Sequence, residues 1–261
     1  MGATDTIAKW IVNTTYEDIP PDAIRVANES CFDVIGVILA GSAQPVGDII
    51  KKYVADQGAA PQATVLSSGS QSSVANAALA NGTMGHALDY DDFGGFGHPT
   101  VAIFPALLAI GEHSGATGRD LLEAYVIGCE VGLALQHATK YKQMDKGFHS
   151  TAVIGRLACT AACAKLMKLD HGQTVMALGM AGSKASGLIP NFGKSGREDS
   201  HFSSMRQSSQ GNQDALTSIM TGFKFGWRSK TPPRISSSNS VCAWNGLPIT
   251  WPINCVPRWP L

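Results

Sequence analysis

The sequence has no excess of either charge: twenty Lys and Arg balance twenty Asp and Glu, and charged residues fill only 15% of 261 positions. That removes the basic surplus by which proteins hold nucleic acid or anionic membrane. Long apolar runs are missing too. The longest, 101–110 and 121–136, are too short to cross a bilayer or are broken by Glu123 and Glu130. Residues 1–5 have no basic stretch leading into an apolar core, so no secretory leader is expected. The six cysteines include no Cys-x-x-Cys pair. Cys159 and Cys163 stand four apart without His or Cys partners at ligand spacing, and read as small buried thiols of a reduced protein. No sustained heptad and no period-two strand series occurs. Neither nucleic acid nor membrane is therefore an expected partner. The cytoplasm is the expected compartment, with mitochondria left open.

What is present is helix after helix. Amphipathic or small-residue segments at 7–14, 20–40, 46–57, 72–88, 100–114, 121–139, 151–167 and 173–186 read as helices, with one extended piece at 63–67. Pro20 and Pro21 sit where a missing N–H costs nothing, and Gly41 closes the same helix. Several segments are rich in Ala and Gly, such as Val74-Ala75-Asn76-Ala77-Ala78-Leu79-Ala80, which predicts close helix–helix approach. The expected class for the first 190 residues is all-α.

Ionisable residues concentrate in one place. Between His86 and His98, thirteen residues hold two imidazoles and the carboxylates of Asp89, Asp91 and Asp92. Such groups beside tightly packing apolar segments are expensive to desolvate, which marks a candidate active site. His86 and Asp89, three apart, are expected to share a helix face; Asp91 and Asp92 read equally well as a solvated cap or as site residues. A further imidazole, His149, precedes another Ala-rich segment. His113, His137, His171 and His201 carry no motif.

Beyond Asn191 the composition changes. The last 71 residues contain twelve Ser, six Pro and four of the five Trp, with eight Lys and Arg against three Asp and Glu. An atypical tail over 194–261 is expected, disordered or out of frame with the preceding domain of residues 1–193.

The ordered pieces Ile19-Pro20-Pro21, Asp33-Val34-Ile35-Gly36, Asn81-Gly82-Thr83, His86-Ala87-Leu88-Asp89-Tyr90-Asp91-Asp92, His98-Pro99-Thr100, Gly147-Phe148-His149 and Ala181-Gly182-Ser183-Lys184-Ala185-Ser186-Gly187-Leu188 resemble the MmgE/PrpD family. That family includes 2-methylcitrate dehydratases and cis-aconitate decarboxylases. The resemblance covers roughly 5–193 and implies a helical domain whose partner, a C-terminal α/β lid domain, is expected to be missing. It implies a cofactor-independent lyase that uses no metal, dehydrating a citrate-like tricarboxylate. Decarboxylation of a cis-aconitate-like acid, epimerisation, or an inactive truncated isoform are the alternatives. By the same resemblance Asp89, His98 and His149 fall on catalytic positions, Asp92 and Lys194 are candidates for substrate binding, and a homodimer is expected. Phe93 stands where related decarboxylases carry a hydroxyl residue, and Lys194 is out of register with the family's carboxylate-binding lysine.

Overall fold

Apolar and small residues at helical spacing produce a helical body with almost no sheet. A computed structural model describes residues 2–189. Among them are nine α-helices: α1 (Ala3–Asn13), α2 (Pro21–Gly41), α3 (Pro45–Asp56), α4 (Val74–Gly85), α5 (Pro99–Ser114), α6 (Gly118–Thr139), α7 (Lys142–Asp145), α8 (Ser150–Leu166) and α9 (His171–Ser183). The all-α reading is correct. The tail and Lys194 lie outside the described residues. No helix among the described residues is long and apolar enough to cross a membrane.

Local chemistry sets most boundaries. Pro at the first turn opens α2, α3 and α5. Thr117 with Asp120, and Asp170 with Gln173, form reciprocal capping boxes at the starts of α6 and α9. Helix α5 continues past Pro105 without ending there. The extended piece at 63–67 is half of a small hairpin, β1 (Ala63–Thr64) and β2 (Gln71–Ser72), paired antiparallel. Positive φ at Ser67 and Gly69 turns the chain between them. Ser72 therefore belongs to a strand, and α4 starts two residues later, with Ser73 Oγ accepting the Asn76 N–H. Buried Asn81 on α4 pins this hairpin: its Oδ1 accepts the Leu66 N–H at 2.9 Å and its Nδ2 donates to the Thr64 carbonyl at 3.0 Å.

Helix α8 forms the centre, packing most extensively on α6 and then α5. Missing side chains allow it. A Cβ on Gly128 would lie 2.8 Å from Ala162 Cβ and 2.9 Å from the Ala158 carbonyl oxygen; one on Gly155 would lie 2.9 Å from Ala102 Cβ. At the α2–α4 crossing, a Cβ on Gly41 would sit 1.9 Å from the Met84 carbonyl oxygen. The main core joins buried residues of α2–α6, α8 and α9, including Val34, Ile38, Met84, Ile103, Leu107 and Tyr125. A smaller one unites Ala8, Ile11, Ile127, Val131, Ala161 and Leu178, so that α1 covers α6, α8 and α9.

Candidate functional site

Helix α4 ends at Gly85, and His86 is its C-cap residue with φ −99° and ψ 3°. Asp89 then takes the left-handed conformation, φ 55°, which Asp tolerates better than most side chains. His86 and Asp89 therefore do not share a helix face, contrary to the sequence expectation. A tight turn follows, closed by Gly94 and Gly97, whose N–H groups donate to each other's carbonyls at 2.8 and 2.9 Å. Between them Phe96 plugs the loop into the core at 1% exposure. Its ring fills the space above Gly132, where a Cβ would meet it at 2.2 Å.

This loop delivers His98 to the N-cap of α5, while His149 occupies the N-cap of α8. The two helix starts abut, because the His98 N–H donates to Thr151 Oγ1 at 3.2 Å. Gly97, with φ 116°, makes room, since a Cβ there would strike that hydroxyl at 2.1 Å. His149 is clamped by a strip of paired backbone: its N–H donates to the Gly187 carbonyl at 2.9 Å, and the Ile189 N–H donates to the Gly147 carbonyl at 2.8 Å. Both imidazoles are buried.

The structure gathers the acidic loop around His98. Asp91 Oδ1 accepts from His86 Nδ1 at 2.9 Å, and Asp91 Oδ2 lies 3.1 Å from His98 Nδ1. Asp89 Oδ1 is 3.5 Å from His98 Nε2 and its side chain is 55% exposed, so it marks the open side of the cluster. Asp92 faces inward. Its Oδ1 accepts the Thr100 N–H at 3.1 Å at the first turn of α5, beside a Thr100–Tyr125 hydroxyl pair at 2.6 Å. Its other oxygen is buried without a hydrogen-bond partner among the described residues. Phe93, 76% exposed, meets the His98 ring edge-on at 5.2 Å. Neighbouring Tyr90 is exposed too, as are Phe148 and Leu188, which pair by a backbone bridge next to His149.

These environments push the titrating groups apart. Burial works to lower the His98 pKa, but Asp91, Asp89 and Asp92 outweigh it, and the imidazole ends above its ordinary value. His149 goes the opposite way: burial, then the nearby His86 and His98 rings, push it down to about 4, with Asp89 opposing weakly. Burial raises Asp92 to about 6, reinforced by Asp91 and opposed by the Thr100 hydrogen bonds. Burial also opposes ionisation of Asp91, yet its two imidazole partners hold it below the usual carboxylate range.

His86, Asp89, Asp91 and His98 offer donor atoms within 4.8 Å of one another, a spacing compatible with a metal ion. Asp91 already lies between the two imidazoles, hydrogen-bonded to His86 and 3.1 Å from His98. A cleft of about 280 Å³ lies elsewhere, lined by α1, α6 and α8 residues. There Lys165 pairs with Glu123 at 3.0 Å and reaches the Thr14 carbonyl, contacts that tie α1 down.

The residues 5–218 match the sequence model of the MmgE/PrpD N-terminal domain. This chain belongs to the MmgE/PrpD family. The match runs past Gly193, where the resemblance was expected to stop. Among MmgE/PrpD relatives, a cis-aconitate decarboxylase-like protein of Aspergillus oryzae is 29% identical over 196 residues, covering 71% of this chain and 41% of the relative. The cis-aconitate decarboxylase of Mus musculus is 29% identical over 204 residues, covering 72% and 40%. That of Homo sapiens is 36% identical over 121 residues, covering 44% and 25%. The chain thus spans well under half the length of these relatives.

Asp89, His98 and His149, singled out from sequence, converge on one site. Two participants had no distinctive sequence signal. Asp91 was one carboxylate of three, and Thr151 a hydroxyl on an Ala-rich helix; the spacing of Asp91 from both histidines was the one available clue.

Proposed function

We propose that this chain supplies the proton-transfer half of a lyase site for a small tricarboxylate of the cis-aconitate type. The observation that carries the reading is a pair of imidazoles at abutting helix N-termini, His98 biased toward the charged form and His149 toward the neutral one. Two titratable groups pushed to opposite protonation states beside one another form an acid–base pair. The positive ends of α5 and α8 favour the negative carboxylates of such a substrate.

In a decarboxylation, the bond to the departing carboxylate breaks and its electrons form a new C=C bond as carbon dioxide leaves. The existing double bond shifts, and its far carbon takes the proton from His98 Nε2. The names of the relatives favour this course. Dehydration is the second reading, favoured by the neutral His149 and by Phe93. His149 would accept the C–H proton while His98 protonates the departing hydroxyl; Phe93 offers a substrate no hydroxyl contact. In both courses the exposed Asp89 carboxylate steadies the His98 imidazolium.

Incubating the protein with cis-aconitate, citrate and 2-methylcitrate, and following carbon dioxide release beside NMR of the products, tests the reading. Turnover should fall about 10²–10⁴-fold in His98→Gln, the range that general acid–base groups supply. His149→Gln should fall comparably on hydroxylated substrates. Turnover unchanged in both variants overturns the reading.

A further inference from the structure

One carboxylate in the site touches two imidazoles, and neither of those contacts opens to solvent. The Asp91 side chain is fully buried, with Oδ1 on His86 Nδ1 and Oδ2 on His98 Nδ1. The His86 side chain is only 2% exposed, too deep to reach a substrate. Its ring meets the His98 ring edge-on, with centroids 4.6 Å apart and planes at 67°. His98 is thereby flanked at its Nδ1 by Asp91, whose Oδ2 lies 3.1 Å away though off the line of a hydrogen bond, on one edge by His86, on another by Phe93, and through its backbone by Thr151. The atom left toward the open side is Nε2, beside exposed Asp89.

We propose that Asp91, clamped from behind by His86, is the positioning residue of this site, fixing the orientation and tautomer of His98 so that proton exchange runs through Nε2 alone. The inference rests on the reading of His98 as a proton donor. The Nδ1 proton stays on the ring through the cycle, attracted by the Asp91 carboxylate 3.1 Å away. The Nε2–H bond breaks, the proton passes to the tricarboxylate, and the electron pair remains on Nε2 until solvent reprotonates it. His86 spends its own Nδ1–H on the other carboxylate oxygen, which keeps Asp91 Oδ2 beside His98 Nδ1. Asp91 thus acts through His98 and touches no substrate.

The surrounding charges are consistent with that assignment. Asp89 and Asp92 face His98 from its own loop, and Asp33 on α2 faces Asp91, its carboxyl raised by partial burial and by Asp91. His149 approaches from α8, held neutral. From α6, Tyr125 and Cys129 lie on the Asp92 side, both kept protonated by burial. Among these carboxylates, Asp91 alone contacts Nδ1; Asp89 contacts Nε2.

The test is an NMR titration of the ¹⁵N-histidine-labelled protein, which needs no substrate. In the unaltered protein His98 should show the Nδ1–H tautomer when neutral. In Asp91→Asn its midpoint should fall and the tautomer preference should be lost, whereas Asp89→Asn should lower the midpoint and leave the tautomer intact. His86→Gln, which keeps Asp91, should blur the tautomer to a lesser degree, and it serves if Asp91→Asn fails to fold. In turnover, Asp91→Asn should lower kcat about 100-fold, within the span assigned to general acid–base groups, with KM little changed. A His98 tautomer unchanged in both Asp91→Asn and His86→Gln overturns the proposal. So does stoichiometric, chelator-reversible binding of added Zn²⁺ that displaces the Nδ1 protons, because the cluster would then be a metal site. Intact tautomer behaviour with turnover indifferent to His98→Gln would leave the positioning in place and remove the lyase reading instead.

Discussion

His149 and Asp92 are both buried, yet acid acts on them in opposite senses. The folded His149 titrates near 4 against an ordinary 6.5. As pH falls through that window the unfolded chain binds a proton the folded one refuses, and stability drops by at most about 1.4 kcal/mol per pH unit from this group. His149→Gln should flatten that part of a pH–stability profile measured by urea unfolding. Asp92, raised to about 6 from 3.8, contributes stability that is complete below 3.8 and lost as pH rises through 6. Asp92→Asn should therefore raise Tm relative to the parent at pH 7.5 and have little effect at pH 4. Sequence marked both residues as candidates but not their orientation. Asp91 and Asp92 are neighbours of identical chemistry, and only the left-handed Asp89 and the Gly94–Gly97 turn decide that one bridges histidines while the other caps α5.

Helices were legible because their information is local. Proline at first turns, two capping boxes and small-residue periodicity place most ends within a few residues of where they stand. What was not legible depends on distant partners. Asn81, one of the residues that carry the family resemblance, turns out to hold a hairpin. The four-residue α7 has too few residues to show a period. Likewise, Gly132 gives no hint in sequence that Phe96, thirty-six positions earlier, occupies its missing side chain. Gly132→Ala should force that ring out, costing about 1–3 kcal/mol as overpacking does and loosening the loop that carries His98. Differential scanning calorimetry and line broadening of the His98 resonance would register the two effects. Gly41→Ala, whose Cβ would strike backbone rather than a movable ring, should be the more damaging of the pair.

At the scale of the whole described body, two cores divide the labour. The smaller one beneath α1 contains no residue of the histidine cluster. Ile11→Ala should cost about 2–5 kcal/mol, the usual range for emptying a buried Ile site, while leaving the His98 titration where it was. Chemical denaturation paired with the NMR titration would check that separation. Family and fold class were readable because many short motifs recur in order along the chain, whereas the proposed chemistry depends on a few side-chain positions. The glycine and alanine contacts behind the site have a consequence for how this scaffold diversifies. Helices α5, α6 and α8 meet with no room for an added methyl, so heritable change has little freedom there. Under the proposed function, changes in substrate preference should instead fall on Tyr90 and Phe93, exposed on the loop that bears the histidine. Lineages of this fold should accordingly diverge in taste at its lip long before they diverge in its foundations.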